Sequence, residues 1–395
     1  MKILHVIPAV AARYGGPSSS IAPMCRSLLQ QGMEVLLAAT DADGGSRLDV
    51  PIGSETVWQG VPAIFFSRTW SESYKYSHGL ARWLSLHAGD FDVVHVHAVL
   101  SHAPLTAAAA CRRAGVPYVV RPLGTLDPWS LRQKRLRKKI LLALGGRRTL
   151  ADAAAIQYTS AEEQRQTEGS LALNRGVVVP LGIDPKLLSE PVCAHERQRD
   201  PYVLVLSRLH PVKNLEALIE AFAGLTEGRR FNTPWRLVIA GGGRRDYAVA
   251  LQQLVDKRGA HDRVSFPGWV DGEDKRQLVR GASLFALASF HENFGVSLVE
   301  ALAAGVPALV SREVHLSEAV ESASAGWVVG TDEASLRAGL AEAFGRGAER
   351  EAKGHAARGL ADRFTWPRVG AQLAELYRRL STCSADLQVR RVGQA

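Results

Sequence analysis

The chain holds 395 residues, 46% hydrophobic and 22% charged, enough to bury the cores of about two ordinary domains and unlike a disordered or fibrous chain. Its 48 Lys and Arg against 39 Asp and Glu give a formal +9, which favours an anionic partner: a nucleotide sugar, a nucleic acid or an acidic membrane surface. Four scattered cysteines, Cys25, Cys111, Cys193 and Cys383, form no CxxC pair, which argues against a zinc site or disulfide scaffold and fits a reducing compartment.

The opening run from Met1 to Ala12 offers a charge and an apolar stretch, as a signal peptide does. His5 and Pro8 interrupt it, and it reads better as a buried first strand entering a loop at Gly15-Gly16. No apolar run approaches the ~18 residues of a spanning helix, so membrane contact is expected to be peripheral. Strand-like runs at 3–7, 34–39, 93–97 and 118–120 alternate with amphipathic stretches near 18–31, 78–87 and 104–114. That alternation predicts an α/β fold with a parallel, doubly wound sheet.

A second series opens after Pro201, with strands at 202–206, 235–240, 264–267, 284–287 and 307–310 and helices near 215–223, 247–258, 275–281 and 294–304. The expected plan is therefore a domain over 1–183, a linker over 184–200, a second domain of the same type over 201–380, and a poorly ordered tail over 381–395. Two such sheets in tandem create a cleft facing the carboxyl ends of their strands, so function should sit in the loops after strands.

The densest constellation runs from His291 to Pro307. Its pattern turns helical after Gly295 and stops at Gly305 and Pro307. Glu292 then precedes the helix and Glu300 lies inside it, so the two acids flank an N-terminus whose free N–H groups favour phosphate. Diphosphate on the amides and sugar hydroxyls on the carboxylates would suit a nucleotide sugar; two solvated acids that happen to lie eight apart fit the spacing as well. After the first strand of the second series, Arg208 and Lys213 are placed to clamp one diphosphate, or are ordinary surface cations. Glycine turns at Gly15-Gly16 and Gly241-Gly242-Gly243 let backbone approach a ligand closely, yet neither completes G-x-G-x-x-G, and a Walker A motif is absent.

The pairs Asp41/Asp43 and Asp90/Asp92 read as turn and strand-start features rather than metal ligands. His95 and His97 end a strand, where alternation is expected to send their rings to opposite faces or ends. His97 is the site candidate, with a packing role equally open.

Taken together, Ser207–Asn214, Ala240–Gly243 and Phe290–Pro307 resemble the family 4 retaining glycosyltransferases, as R-x-x-x-x-K and E-x7-E patterns, and the resemblance runs from Met1 to about Leu380. It implies a GT-B fold, an acceptor-side first domain and a second domain that binds the nucleotide sugar. It further implies that Arg208 and Lys213 hold the donor diphosphate and Glu300 the ribose, while Glu292, with the Asn293, Phe294 and Gly295 backbone, holds the transferred sugar. Gly15 and Gly16 would line the opposing wall. The segment around Gly268 and Trp269 resembles the part that lines the base, beside Gly241 and Gly242. Members need no metal. One departure stands out: where many members carry a sugar-contacting histidine, this chain has Leu123, with Arg121 and His97 the nearest substitutes. The run from Arg121 to Trp129 resembles bacterial exopolysaccharide and lipopolysaccharide members.

The reading that follows is a metal-independent, retaining hexosyltransferase using a nucleoside diphosphate sugar on a glycan or lipid-linked acceptor, cytoplasmic and peripheral on the inner face of the membrane. An epimerase or phosphorylase of the same fold is its nearest rival; a nicotinamide dehydrogenase lacks its fingerprint. A nucleic-acid binder, suggested by a pI of ≈ 9.6, lacks an aromatic-interleaved basic surface. Residues 131–148 carry cations and no acid, and predict an amphipathic helix with Leu131, Leu136, Ile140 and Leu144 on one face. Such a helix fits either an anionic membrane or the protein core.

Overall fold

The computed structural model describes residues 1–133, 135–189, 201–226 and 235–392. The chain forms two units, Met1–Gly182 together with Trp366–Ala395, and Ile183–Thr365.

In the first unit the strands are β1 (Lys2–Ala9), β2 (Glu34–Thr40), a small hairpin of β3 (Ala42–Asp43) and β4 (Ser46–Arg47), β5 (Glu55–Trp58), β6 (Val61–Phe66), β7 (Val93–His97), β8 (Tyr118–Arg121), β9 (Ala155–Tyr158) and β10 (Gly176–Val178). Eight of them make one sheet in the order β10-β9-β8-β7-β1-β2-β6-β5, parallel except for the β5–β6 hairpin. Runs such as Val93, Val94 and Val96 are fully buried, as central parallel strands covered on both faces must be. Leu4, Val96 and Val120 pack with Leu80, Leu84 and Cys111 on one side.

Helix Gly16–Gln30 packs against the last helix, Trp366–Val392, which buries Val369, Leu373, Leu376 and Tyr377. A Cβ on Gly370 would meet Ser27 Oγ at 2.7 Å, so glycine is what lets the two approach. The expected second-domain boundary is corrected here: the last helix, which runs to Val392, joins the first unit instead of ending a second domain at 380, and residues 393–395 of the expected tail lie outside the described residues. Periodicity shows that such a helix is amphipathic but not which core takes its apolar face.

The second unit holds β11 (Tyr202–Leu206), β12 (Arg236–Ala240), β13 (Val264–Gly268), β14 (Leu284–Leu287), β15 (Ala308–Ser311) and β16 (Gly326–Val329). They form a wholly parallel sheet ordered β13-β12-β11-β14-β15-β16. The order reverses between β11 and β14, where the loops leaving the two strands diverge and open α/β sheets bind ligands. In the first sheet the same reversal falls between β1 and β7. Of the expected linker, Lys186–Ser189 is a helical turn and Ile183 bridges Thr365; residues 190–200 lie outside the described residues, as does Lys134.

Candidate active site

Loop chemistry at the β11/β14 reversal brings distant residues together. Past β11, His210 Nδ1 accepts from Val212 N (3.2 Å) to start the turn Pro211–Lys213, and Asn214, at φ 56°, ends it with Nδ2 donating to Thr331 O (2.7 Å). Phe290 N donates to Val212 O at 2.8 Å, tying the loop after β14 to that turn. The same loop is held on its other side, Glu292 N donating to Glu313 O (3.3 Å) and His315 N to Glu292 O (3.0 Å). Glu292 thereby forms an ion pair with Lys213. Arg208 is exposed, and its guanidinium makes no hydrogen bond or ion pair among the described residues.

Gly295, at φ 75° and ψ 67°, turns the chain into helix Val296–Ala303, whose first-turn N–H groups have no intrahelical acceptor. Leu298, Val299 and Leu302 anchor that helix in the core. Phe294 is 3% exposed and sits edge-on to Phe364 at 5.6 Å, so its side chain packs inward and only its backbone is left for a ligand. Glu300 projects from the helix toward Lys275 of helix Gly272–Gly281, with 2.7 Å between Nζ and the carboxylate. Both line an open cavity of about 340 Å³ with Asp184, Leu187, Gly272 and Ala304. Lys275 and the cavity wall at Asp184 carried no motif. Their only signal is the partner that Glu300 requires once half-buried.

The glycine run has a packing cause. A Cβ on Gly241, at φ 143°, would fall 1.8 Å from Ser207 O, and one on Gly243 would fall 2.3 Å from Leu209 O. Close approach lets Ser207 N reach Ala240 O (3.1 Å), Leu209 N reach Gly242 O (2.8 Å) and Gly241 N reach Gly268 O (2.7 Å), zipping three strand ends together. Around Gly268 there is open space, and Trp269 beyond it is 68% exposed, its Nε1 donating to Asp271.

In the first unit Gly15, at φ 77°, precedes helix Gly16–Gln30, and neither Gly15 nor Gly16 has an atom within 4 Å of where a Cβ would stand. The expectation for the histidines is corrected: residues two apart on a strand share a face, and His95 and His97 stack at 4.3 Å. His5, beside His95 in register, shares a 3.0 Å hydrogen bond with His97, and His95 Nδ1 shares one of 2.6 Å with the Tyr377 hydroxyl. His97 is wholly enclosed and Arg121 is 2% exposed, with Nη2 3.4 Å from Ser20 Oγ. Neither is therefore presented at the strand end in place of a histidine at Leu123. Burial, reinforced by Arg121, lowers the His5 pKa to about 3 and holds His95 and His97 well below the usual imidazole value. His5, His95 and His97 each offer a ring nitrogen within 4.8 Å of the others, but each ring spends one nitrogen on a hydrogen bond, His5 and His97 on each other and His95 on Tyr377, and the buried Arg121 adds a positive charge, which favours packing over a cation. His5 and Tyr377 had no sequence signal; their partners lie 92 and 282 residues away.

Residues 15–182 match the model of the glycosyl transferase 4-like domain, and residues 194–359 that of glycosyl transferases group 1. The chain is a glycosyltransferase, its 4-like domain followed by a group 1 domain. Over 96% of its length this glycosyltransferase is 25% identical to the GDP-mannose:cellobiosyl-diphosphopolyprenol alpha-mannosyltransferase of Komagataeibacter xylinus, covering 93% of that protein. It is 28% identical to the phosphatidyl-myo-inositol mannosyltransferase of Mycobacterium leprae (strain TN), with 98% and 100% of the two chains covered. The crystal structure of Anabaena HepE in complex with UDP and glucose has the same fold, with a TM-score of 0.74, 21% identity, and 96% and 100% coverage. The glycosyltransferase is thus of the GT-B type.

Proposed function

We propose that the glycosyltransferase moves a hexose, with retention of configuration and without a metal, from a nucleoside diphosphate to a glycan or lipid-linked acceptor in bacterial surface polysaccharide synthesis. One observation carries the reading. Two lysine–carboxylate pairs, Lys213–Glu292 and Lys275–Glu300, bracket the N-terminus of helix Val296–Ala303 beside the strand-order reversal. In this reading Arg208, Lys213 and the helix N–H groups take the diphosphate, and Glu300 takes the ribose hydroxyls at the mouth of the 340 Å³ cavity. Trp269, with Gly268, Gly241 and Gly242, borders the base.

Charge develops on the leaving diphosphate as its bond to the sugar breaks. Preorganised cations and amides aimed at that position lower the barrier without reorganising at the moment of reaction. Glu292 and the Asn293–Gly295 backbone orient the sugar, and the departing phosphate oxygen receives the acceptor's proton. Cations thus do what a divalent ion does in other transferases. The acidic pairs are engaged elsewhere: Asp41 Oδ1 accepts from Arg68 N (2.7 Å), Asp43 pairs with Arg13 (2.5 Å), and Asp92 accepts from Lys2 N (2.7 Å). Relatives named for polyprenol-linked and phosphatidylinositol acceptors support a lipid-linked acceptor at the inner membrane face, and among the described residues no helix is long and apolar enough to cross a membrane.

The test is thermal unfolding with a panel of nucleotide sugars, GDP-mannose and UDP-glucose first, each with and without EDTA. One donor is expected to raise the melting temperature by ligand linkage, unaffected by chelation. Stabilisation by NAD alone would overturn the reading, and loss of donor binding on chelation would overturn its metal independence.

A further inference from the structure

We propose that Glu163 is a positioning residue for sugar transfer, its buried carboxylate fixing the Leu123–Gly124 turn on the face of the first unit where the strands end. Ser160 and Glu163 open helix Ala161–Leu171 as an S-x-x-E capping box, Ser160 Oγ accepting from Glu163 N at 3.1 Å. In such a box the acid ordinarily reaches back to the N–H of the capping residue. Here it goes elsewhere. Glu163 Oε2 accepts from Thr159 N (2.7 Å) and Thr159 Oγ1 (2.8 Å), while Oε1 accepts from Gly124 N (3.1 Å), 39 residues away. A cap alone accounts for the bonds to Thr159 and leaves the one to Gly124 without a purpose.

Nor does a cap need a buried charge, yet Glu163 is 1% exposed. Burying a carboxylate is costly unless it is paired and hydrogen-bonded, and Arg121, the equally buried last residue of β8, supplies the opposite charge. What they hold is an unfavourable backbone. Leu123 and Gly124 are consecutive left-handed residues, at φ 61° and 65°. Glycine enters that region freely, but a leucine is kept there only by its surroundings, and such residues gather at functional sites. Leu123, Gly124 and Thr125 are partly exposed between buried Pro122 and Leu126. They leave the carboxyl end of β8 beside β7, whose boundary with β1 is the strand-order reversal where ligands of open α/β sheets bind.

The turn is held from its far side as well. The basic segment after it is not the single helix its pattern predicts: it folds as Pro128–Arg132, Arg135–Leu141, a wide turn over Leu142–Gly146 and Arg147–Ala151, with Gly145 at φ 152°. That path buries Leu142, leaves Leu136 and Leu144 exposed, and returns Lys138 Nζ to Thr125 O (3.3 Å) and Ser130 O (2.6 Å). Glu163 at one end and Lys138 at the other thus set where residues 123–125 stand.

The experiment follows release of nucleoside diphosphate from GDP-mannose or UDP-glucose, whichever the thermal panel selects, with water as acceptor. Beside it stand calorimetric affinity for that nucleoside diphosphate and amide exchange over residues 122–126 of the full-length protein. Glu163→Gln offers one oxygen to two sets of N–H donors, and the longer bond, to Gly124, is expected to be the one lost. Exchange at Gly124 should then quicken roughly tenfold or more, as for any hydrogen bond to a charged group. The kcat should fall ~10–100-fold, since a turn displaced by about 1 Å misplaces what it orients, with nucleoside diphosphate affinity as in wild type. Glu163→Asp keeps the charge beside Arg121 but falls one methylene short of Gly124; it should show the same split and serves if the glutamine variant does not fold. Thr159→Val cuts only the hydroxyl bond and should lower the melting temperature with kcat unchanged. Adding Leu123→Gly to Glu163→Gln should recover about fivefold in kcat, because glycine takes the left-handed shape unaided. Wild-type kcat in both Glu163 variants, an equal fall in Thr159→Val, or no recovery with glycine would overturn the role. A wild type that released no nucleoside diphosphate from any donor would instead overturn the proposed transfer reaction, on which this role rests.

Discussion

Lys213 and Glu292 neutralise each other in a half-buried position, as do Lys275 and Glu300, so each truncation both removes one group and frees another. On the proposed roles, Glu300→Ala and Lys213→Ala each lose a charged contact to the nucleotide, costing about 1.5–3 kcal/mol of affinity. Calorimetric titration with the cognate nucleoside diphosphate measures this, and wild-type affinity in both variants would count against the site. Glu292→Gln should behave differently, with turnover falling far more than nucleoside diphosphate affinity because its proposed partner is the sugar. Equal losses would move Glu292 onto the nucleotide. Lys275→Ala should weaken binding less than Glu300→Ala, since it disorders the carboxylate without removing it.

At the scale of elements, the layer where β1 and β7 meet the last helix holds His5, His95 and His97 neutral, chiefly through burial. An unfolded histidine protonates below about pH 6.5 while these do not, so falling pH stabilises the unfolded chain alone. Stability should therefore be flat above about pH 7 and fall below 6.5 by about 1.4 kcal/mol per pH unit for each histidine, continuing for His5 toward its folded pKa of about 3. Urea unfolding between pH 8 and 5 tests it; stability that stayed level from 6.5 to 5 would refute the buried neutral layer.

Elements of this kind also mark what the sequence could disclose. Runs such as Tyr202–Leu206 and Leu284–Leu287 are apolar throughout because both faces are covered, and they are legible at once. The Glu55–Trp58 strand is not, since its half-exposed residues carry little apolar contrast. Glu292, Glu300, Arg208 and Lys213 could be named from spacing and resemblance, but the Lys213–Glu292 pair spans 79 residues and exists because Phe290 N meets Val212 O. The basic segment disclosed its charge and not its kinks, which Gly145 and Gly146 permit and which decide which leucines face out.

At the scale of the whole molecule, the two family domains end at residues 182 and 359, yet Trp366–Val392 lies beyond both and completes the first unit. One unit is therefore a continuous stretch, Ile183–Thr365, and the other is not. The consequence is energetic. The last helix buries Val369, Leu373, Leu376 and Tyr377, and at ~1.5–3 kcal/mol for each large side chain it contributes roughly 6–12 kcal/mol. A domain's net stability is about 5–15 kcal/mol, so the first unit without that helix should not fold. Residues 1–182 expressed alone are expected to be insoluble or to lack a cooperative thermal transition, and to regain one when 366–392 is joined through a flexible linker. Residues 183–365 alone should unfold cooperatively and, on the proposed donor site, bind the nucleoside diphosphate with affinity near that of the full chain. A well-folded 1–182 would show that the helix is an accessory. A folded 183–365 that bound no nucleotide would instead place part of the donor site in the first unit, where Gly15 and Gly16 leave open space.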